Sequence, residues 1–236
     1  MTTIRKQIIS NIETALAGVL QTAGYNTDAG SHVYVAKRKL DKTESRSLAV
    51  WPGSEDVSRK YGKNECSLSV RIEALAMAMS GTEEPAEVGE ILLGDVIEGM
   101  TAPVLTMAFT SGSHEISVGD TITGATSGAT AYVAGVSLSA GTWAGGDAAG
   151  TLTLRRLAGK FVAESLDVGT DLNVATTSGT ITAVTPVERV TGSLADDIAY
   201  TGSEIVYPDE EERVVGVRAD FNIKYKTQVG DPYSQP

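Results

Sequence analysis

The sequence of 236 residues is poor in the side chains from which most catalytic and metal sites are built. It has one cysteine, Cys66, and two histidines, His32 and His114, which fall in regions of different character. A single cysteine excludes an internal disulfide, and its place in a strand pattern predicts a buried structural thiol. Two distant histidines give no support to a zinc site or a Ser–His–Asp arrangement. We therefore expect no enzyme activity, no metal and no cofactor.

Long apolar runs and excess positive charge are also missing. No stretch approaches the roughly 20 apolar residues of a membrane helix, and Arg5 and Lys6 lead into an amphipathic pattern rather than an apolar signal region. The net charge of −11 argues against a nucleic-acid-binding surface, which needs a basic patch. Two interpretations of the acidity remain open. It serves solubility, or it forms a surface that repels polyanions, such as the wall of a channel through which DNA slides.

Two kinds of sequence alternate along the chain. Residues 1–103 and 191–236 mix charged residues with helical and alternating apolar patterns, whereas residues 104–190 are rich in Gly, Thr, Ala and Val and have a lower density of charged residues. Insertions are tolerated best in surface loops. We therefore predict one α+β domain from 1–103 plus 191–236, interrupted by an inserted all-β domain at 104–190.

The outer domain is predicted to contain two helices. The first has Thr2 or Thr3 as its N-cap, apolar residues at three- and four-residue steps as far as Leu20, and Gly24 as its stop. The second follows Thr82, with acidic residues and a proline in its first turn. Its buried stripe is expected to consist of Val88, Ile91, Leu92, Val96 and Met100.

Four strands complete the outer domain. Their predicted bounds are His32–Arg38, Ser47–Trp51 (ended by Pro52-Gly53), Cys66–Ala74 and Val214–Thr227. The last strand is longer than the usual five or six residues, so we expect part of it to project beyond the sheet. The elements together predict an antiparallel or mixed sheet with helices packed on one face.

The inserted domain contains an internal repeat. Val118–Val133 is echoed by Val168–Val184, and each copy predicts a hairpin that turns at Ser-Gly, at Ser127-Gly128 and Ser178-Gly179. With few helix formers and frequent glycine turns, this segment predicts a small β-sandwich or barrel-like domain.

Several stretches of the outer domain resemble the tail terminator (tail completion) proteins of long-tailed bacteriophages. They are Ile4–Ile9, Val50–Gly53, Ser67–Leu75 and Val215–Pro232. The inserted text at Val118–Ala131 resembles the Gly/Thr-rich β modules that decorate phage virion proteins. The resemblance implies a mixed α/β sheet in a ring, typically of six subunits, at the head-proximal end of the tail tube, where the ring stops tube polymerisation and faces the neck.

The same resemblance implies the partners and the location. We expect a homo-oligomeric ring, a hexamer by analogy with the family, that contacts the tail tube protein and a head–tail connector or neck protein. DNA is expected to pass through without specific binding, and no membrane is involved. The protein is expected in the virion tail or neck after assembly in the host cytoplasm, with the inserted domain on the outside of the ring.

Two groups of residues are candidates for these contacts. The subunit or tube interface is assigned to Lys37, Arg38, Lys39, Trp51 and Pro52, and an acidic channel-facing group to Asp209, Glu210, Glu211 and Glu212. The residue pattern by itself favours a solvated strand end for the basic cluster and an exposed turn for the acidic run.

Two other functions remain open. The chain is a tail tube subunit or a head–tail connector protein, or it is a glycan-binding module that uses exposed aromatic side chains of the insertion. Those aromatic residues are Phe109, Tyr132, Trp143 and Phe161. A tube subunit would form filaments, whereas a terminator closes into a single ring.

Overall fold

The computed structural model describes residues 1–37, 46–77, 84–209 and 214–236. They form two compact units. The sheet unit comprises residues 1–21, 26–102 and 185–236, and the barrel unit comprises residues 22–25 and 103–184. The chain is mostly β, with one open sheet, one closed barrel and three α-helices among the described residues, so the predicted α+β class fits only loosely.

The sheet unit holds all three helices and five strands. In chain order these are α1 (Ile4–Leu16), β1 (Val33–Val35), β2 (Arg46–Lys60), β3 (Lys63–Met77), α2 (Pro85–Thr101), α3 (Pro186–Thr191), β10 (Ala195–Asp209) and β11 (Val214–Gln228). The strand order is β1-β2-β3-β11-β10. Only the β1–β2 pair is parallel, so the sheet is mixed. Residues 185–190, which the sequence assigned to the insertion, lie in the sheet unit, where α3 forms.

Helix α1 begins as predicted and ends earlier. The Thr3 hydroxyl accepts a hydrogen bond from the Lys6 amide, and the apolar stripe from Ile4 to Leu16 is buried. The helix stops at Leu16 rather than near Gly24, and the chain folds back so that the Gly30 amide donates to the Val19 carbonyl. A Cβ at Gly30 would lie 2.5 Å from the Leu16 carbonyl oxygen. This backbone contact, which only glycine permits, replaces the last predicted turn.

Strand β2 does not end at Pro52-Gly53 as predicted. It continues to Lys60, with a register shift against β3 between Pro52 and Glu55. A β-bulge at this point accommodates a proline that cannot donate to the ladder. The strand then turns at Tyr61-Gly62, where both residues have positive φ (48° and 78°), the geometry of a tight two-residue hairpin turn.

The alternating patterns of β3 and β11 are confirmed. Cys66, Leu68, Val70, Ile72 and Ala74 are buried on one face, as are the alternate residues Val215 to Tyr225 of β11. Strand β11 pairs with β3 over its whole length, from Val214 beside Met77 to Gln228 beside Lys63. The expectation that part of β11 projects beyond the sheet was therefore wrong, because β3 is equally long.

Helix α2 packs on this apolar face. Val88, Leu92, Val96 and Met100 are buried as predicted, but Ile91 is 37% exposed. A Cβ at Gly89 would lie 2.8 Å from an Ile205 methyl group and 2.9 Å from a Val215 methyl group, which shows how closely the helix approaches the sheet. Each fully buried Leu, Val or Met contributes roughly 1.5–3 kcal/mol.

The barrel unit is a closed barrel of six strands. They are β4 (Val104–Gly112), β5 (Thr121–Gly124), β6 (Thr130–Ala140), β7 (Ala148–Ala158), β8 (Glu164–Val168) and β9 (Asp171–Val184), in the order β4-β7-β6-β5-β8-β9. The barrel is filled by Phe109, Leu152, Phe161, Leu166 and other apolar side chains. Closure leaves no edge strand in this unit.

The internal repeat folds differently in its two copies. In the first copy, the hairpin β5–β6 turns around Ser127-Gly128, as predicted. In the second, the turn lies between Val168 and Asp171, and Ser178-Gly179 lies inside β9. Gly179 has φ 74°, and a Cβ there would lie 2.5 Å from the Val162 backbone. Glycine is needed at position 179 because another backbone segment passes close to it, and not because the chain reverses there.

Candidate interaction surfaces

Two unlike edges bound the five-stranded sheet. The three-residue β1 lies at one edge and the fifteen-residue β10 at the other. On its outer side, each edge strand has no further partner among the described strands, so a row of backbone N–H and C=O groups faces outward. Because the edges lie at opposite sides of the sheet, one molecule can present both at once.

The predicted interface residues that the structure describes lie near the β1 edge. Val35 of β1 pairs with Val50 of β2. Trp51 is the next residue of β2, and Lys37 comes two residues after Val35. The Lys37 ammonium sits over the Tyr34 ring, 3.4 Å from its centroid. Arg38 and Lys39 lie outside the described residues.

Asp209 is the one described residue of the predicted acidic group, and it lies in the strand at the opposite edge. Asp209 is the last residue of β10 and pairs in register with Val214 of β11. Glu210, Glu211 and Glu212 lie outside the described residues. The described members of the two predicted groups therefore lie at opposite edges of the sheet.

Trp51 lies on the polar face of the sheet, opposite Arg71 of β3. A shallow depression of about 340 Å³ is lined by Trp51, Pro52, Arg71 and Asp220 among others. The Trp51 ring is half-buried, and its Nε1 is shielded from solvent with no hydrogen-bond partner among the described residues. An unsatisfied buried N–H costs about 1–3 kcal/mol, so this ring is held by packing rather than by polar contacts.

Charges of both signs cover the rest of the polar face. Arg71 Nε lies 2.8 Å from Asp220 Oδ1, and this hydrogen bond raises the pKa of the guanidinium. Arg218 lies 3.5 Å from Glu73 and 3.4 Å from Glu204. The ion pairs Lys224–Asp197 and Lys226–Asp196 continue this row of charged side chains between β11 and β10. These pairs are exposed and screened by solvent, so they contribute little to stability, and the face they cover is mixed in charge rather than uniformly acidic.

A groove runs between α1 and the β1 edge of the sheet. It has a volume of about 440 Å³, and its walls include Arg5, Lys6, Ile9, Val35 and Pro52. Arg5 donates from Nη2 to the Gly53 carbonyl at 2.9 Å, which ties α1 to the bulge of β2. The groove thus combines an apolar floor with basic side chains, and the predicted Pro52 is part of it.

A buried polar cluster on the helix side of the sheet was missed by the sequence analysis. The Tyr225 hydroxyl donates to Glu55 Oε1. Burial and this carboxylate raise the pKa of Tyr225, and burial raises the pKa of the nearby Cys66 thiol. Cys66 is buried, as predicted. Glu55 reaches this position because the bulge after Pro52 shifts the strand register, which no alternation pattern reveals.

A second missed residue is Asp95, which is fully buried within α2. Its Oδ1 accepts from the Asn26 amide at 3.1 Å and from Asn26 Nδ2 at 2.8 Å, and its Oδ2 accepts from the Thr27 amide at 2.7 Å. The available signal was an acidic residue beside the buried stripe of a helix. Its function is to hold the turn-rich segment after α1.

The aromatic side chains of the barrel unit are not available as a sugar-binding surface. Phe109 and Phe161 are buried, and Trp143 stacks on Phe109 with 5.2 Å between ring centroids and parallel planes. Tyr132 is half-buried. Trp143, expected as an exposed aromatic, is instead half-buried against the barrel core.

Within the part of the chain that the structure describes, no group of three or more His, Cys, Asp or Glu side chains is placed to hold a metal ion. None of the described helices is long and apolar enough to cross a membrane. Comparison of the sequence with models of known protein families and with curated proteins finds no match.

Proposed function

We propose that this chain is a structural virion protein of a long-tailed phage. It forms a ring that caps the head-proximal end of the tail tube, ends tube polymerisation and joins the tail to the neck. The observation that carries the proposal is the open sheet with two unlike edges at opposite sides. Head-to-tail contacts between unlike surfaces generate a ring when the rotation between copies closes, and a filament when it does not.

The resemblance to tail terminators supports the same conclusion. The stretches that carry it fall in α1, β2, β3 and β11 with the residues after β11, all within the sheet unit. In this proposal the partners are further copies of the chain, the tail tube protein and a connector or neck protein. DNA passes through the ring without specific binding.

The two alternatives differ in their support. A tail tube subunit or connector would use the same two sheet edges, so the edges alone do not separate it from a terminator. A glycan-binding module needs exposed aromatic platforms, and none of the four aromatic side chains of residues 103–184 is fully exposed. The structure therefore offers little support for the glycan-binding alternative.

The proposal is tested by native mass spectrometry and negative-stain electron microscopy of the purified full chain, alone and with purified tail tubes. We expect a closed ring of about six copies, either free in solution or only at tube ends, and tubes that no longer elongate once capped. Filaments of this chain would favour the tube subunit. A chain that stays monomeric and leaves tube ends uncapped would refute the terminator.

A further inference from the structure

The β10 edge of the sheet carries acidic side chains, whereas the groove between α1 and β1 is lined by the basic side chains of Arg5 and Lys6. We infer that each ring contact joins the outer edge of β10 in one copy to the groove between α1 and β1 in the next copy. The inference rests on the proposed ring and specifies which surfaces form it.

The β10 edge is acidic. Its sequence contains four acidic residues and no lysine or arginine: Asp196, Asp197, Glu204 and Asp209. The side chains of the first three are 53%, 52% and 65% exposed. Their cationic neighbours, Lys226, Lys224 and Arg218, belong to β11, one strand further from the edge. An approaching molecule therefore meets the acidic row first.

The β10 edge also offers a short regular stretch for contact. Register shifts against β11 interrupt the strand at three places, and bulges of this kind protect edges from indiscriminate pairing. Between two of these shifts, Gly202–Val206 is regular over five residues. Tyr200 and Tyr207 flank it and are exposed. Tyrosine is a frequent anchor of protein interfaces.

The groove has the complementary properties. Arg5 and Lys6 line it, and Lys37 follows the β1 strand at its side, while Glu13 is its one acidic lining residue. Ile9, Val35 and Pro52 supply apolar surface. A volume of about 440 Å³ accommodates a tyrosine side chain from the neighbouring edge.

A head-to-tail contact between two copies of the chain suits the charges of these surfaces better than a two-fold symmetric contact does. A symmetric dimer through β10 would place two acidic rows against each other, and a symmetric dimer through the groove would oppose two basic surfaces. Joining edge to groove pairs unlike charges and leaves the resulting pair of molecules with one free edge and one free groove. Such a contact repeats until the ring closes.

Matched charge reversals test the inference in the full chain. The edge variant is Glu204→Lys and the groove variant is Lys6→Glu, while Glu115→Lys and Lys160→Glu make the same charge changes at exposed positions of the barrel unit. We expect each interface variant to raise the concentration for half-assembly by about tenfold or more, and the controls to leave it unchanged. Circular dichroism checks that all four remain folded.

Rescue separates a lost contact from a damaged fold. In the double variant with Lys6→Glu and Glu204→Lys in one chain, the charges at these two positions are exchanged, so the pair again joins unlike charges across each contact. We expect this variant, and an equimolar mixture of the two single variants, to form rings near the wild-type concentration. In the mixed ring the two variants alternate.

The outcomes distinguish this inference from the ring itself. Wild-type rings that are indifferent to both single reversals, or single variants that assemble poorly without rescue in the double variant, would overturn the edge-to-groove contact and leave the ring standing. A wild-type chain that forms no ring, with or without tube ends, would overturn the proposed function and this inference with it.

Discussion

The carboxylate of Glu164 holds Ser127 by two hydrogen bonds, from the Ser127 amide at 2.7 Å and from its hydroxyl at 2.6 Å. The Thr126 amide also donates to it at 2.7 Å. A side chain at the start of β8 thereby fastens the loop between β5 and β6. Glu164 itself is buried. Burial alone would raise its pKa, but these hydrogen bonds and one from the Val162 amide lower the pKa to about 2.

Replacing this carboxylate should destabilise the barrel unit. In Glu164→Gln, one acceptor oxygen becomes an NH₂ group that faces backbone N–H donors, and we expect a loss of about 3 kcal/mol in unfolding free energy. Urea unfolding followed by Trp143 fluorescence in a Trp51→Phe background reports on the barrel unit alone. The control Glu115→Gln, at an exposed site, should change stability by less than about 0.5 kcal/mol.

Acid should weaken the barrel unit through the same residue. The folded-state pKa of about 2 lies below the ordinary value of 4.5, so the stabilisation is complete above pH 4.5 and is lost as the pH falls toward 2. We expect the difference in urea midpoint between wild type and Glu164→Gln to shrink over this range. A difference that is constant from pH 7 to pH 2.5 would contradict the assignment.

Removal of Asp95 should destabilise the sheet unit. Asp95→Ala leaves the amides of Asn26 and Thr27 without their acceptor, and we expect a cost of about 3 kcal/mol. Trp51 fluorescence in a Trp143→Phe background measures it. The matched change Glu87→Ala, at an exposed position of the same helix, should cost less than about 0.5 kcal/mol.

Alanine substitutions at Gly179 and Gly128 distinguish the cost of backbone strain from the cost of steric conflict. Both have positive φ, 74° and 66°, so alanine at either position carries about 1–2 kcal/mol of strain. Only Gly179 approaches another backbone segment, at Val162, whereas nothing lies within 4 Å of a Cβ at Gly128. We therefore expect Gly179→Ala to cost at least about 1 kcal/mol more than Gly128→Ala in thermal or urea unfolding. Equal losses would mean that the β9 contact relaxes freely.

Local sequence patterns predicted strands and helix starts correctly where the deciding residues are close together in the chain. The alternation of β3 and β11 identified their buried face, and the Thr3 cap located the start of α1, because period and capping depend on residues close in the chain. The end of α1 and the length of β2 were predicted wrongly. The Gly30 contact ends the helix region and the Pro52 bulge prolongs the strand, and both depend on residues distant in sequence.

Some residues of the candidate surfaces were identified from the sequence, and others only from the structure. Trp51 and Pro52 were selected from the sequence as interface candidates, and they lie near the β1 edge, but the groove that Pro52 lines is completed by Arg5 and Ile9 of α1. The half-buried Glu55 and the buried Asp95 were missed, since a carboxylate held by internal hydrogen bonds is recognisable only when the donors around it are known.

The amino-acid sequence by itself determined the division into a charged, mixed segment and a Gly/Thr-rich β segment, together with the faces of the long strands. Both follow from composition and from side-chain period, which are properties of the local chain. Only the tertiary structure decided that β1 and β10 become the two edges of one sheet, that the second repeat turns at Gly169 rather than at Gly179, and that Glu164 lies beside Ser127. Strand order, register and buried polar contacts join residues far apart in sequence, and their free energies exist only once the chain has folded.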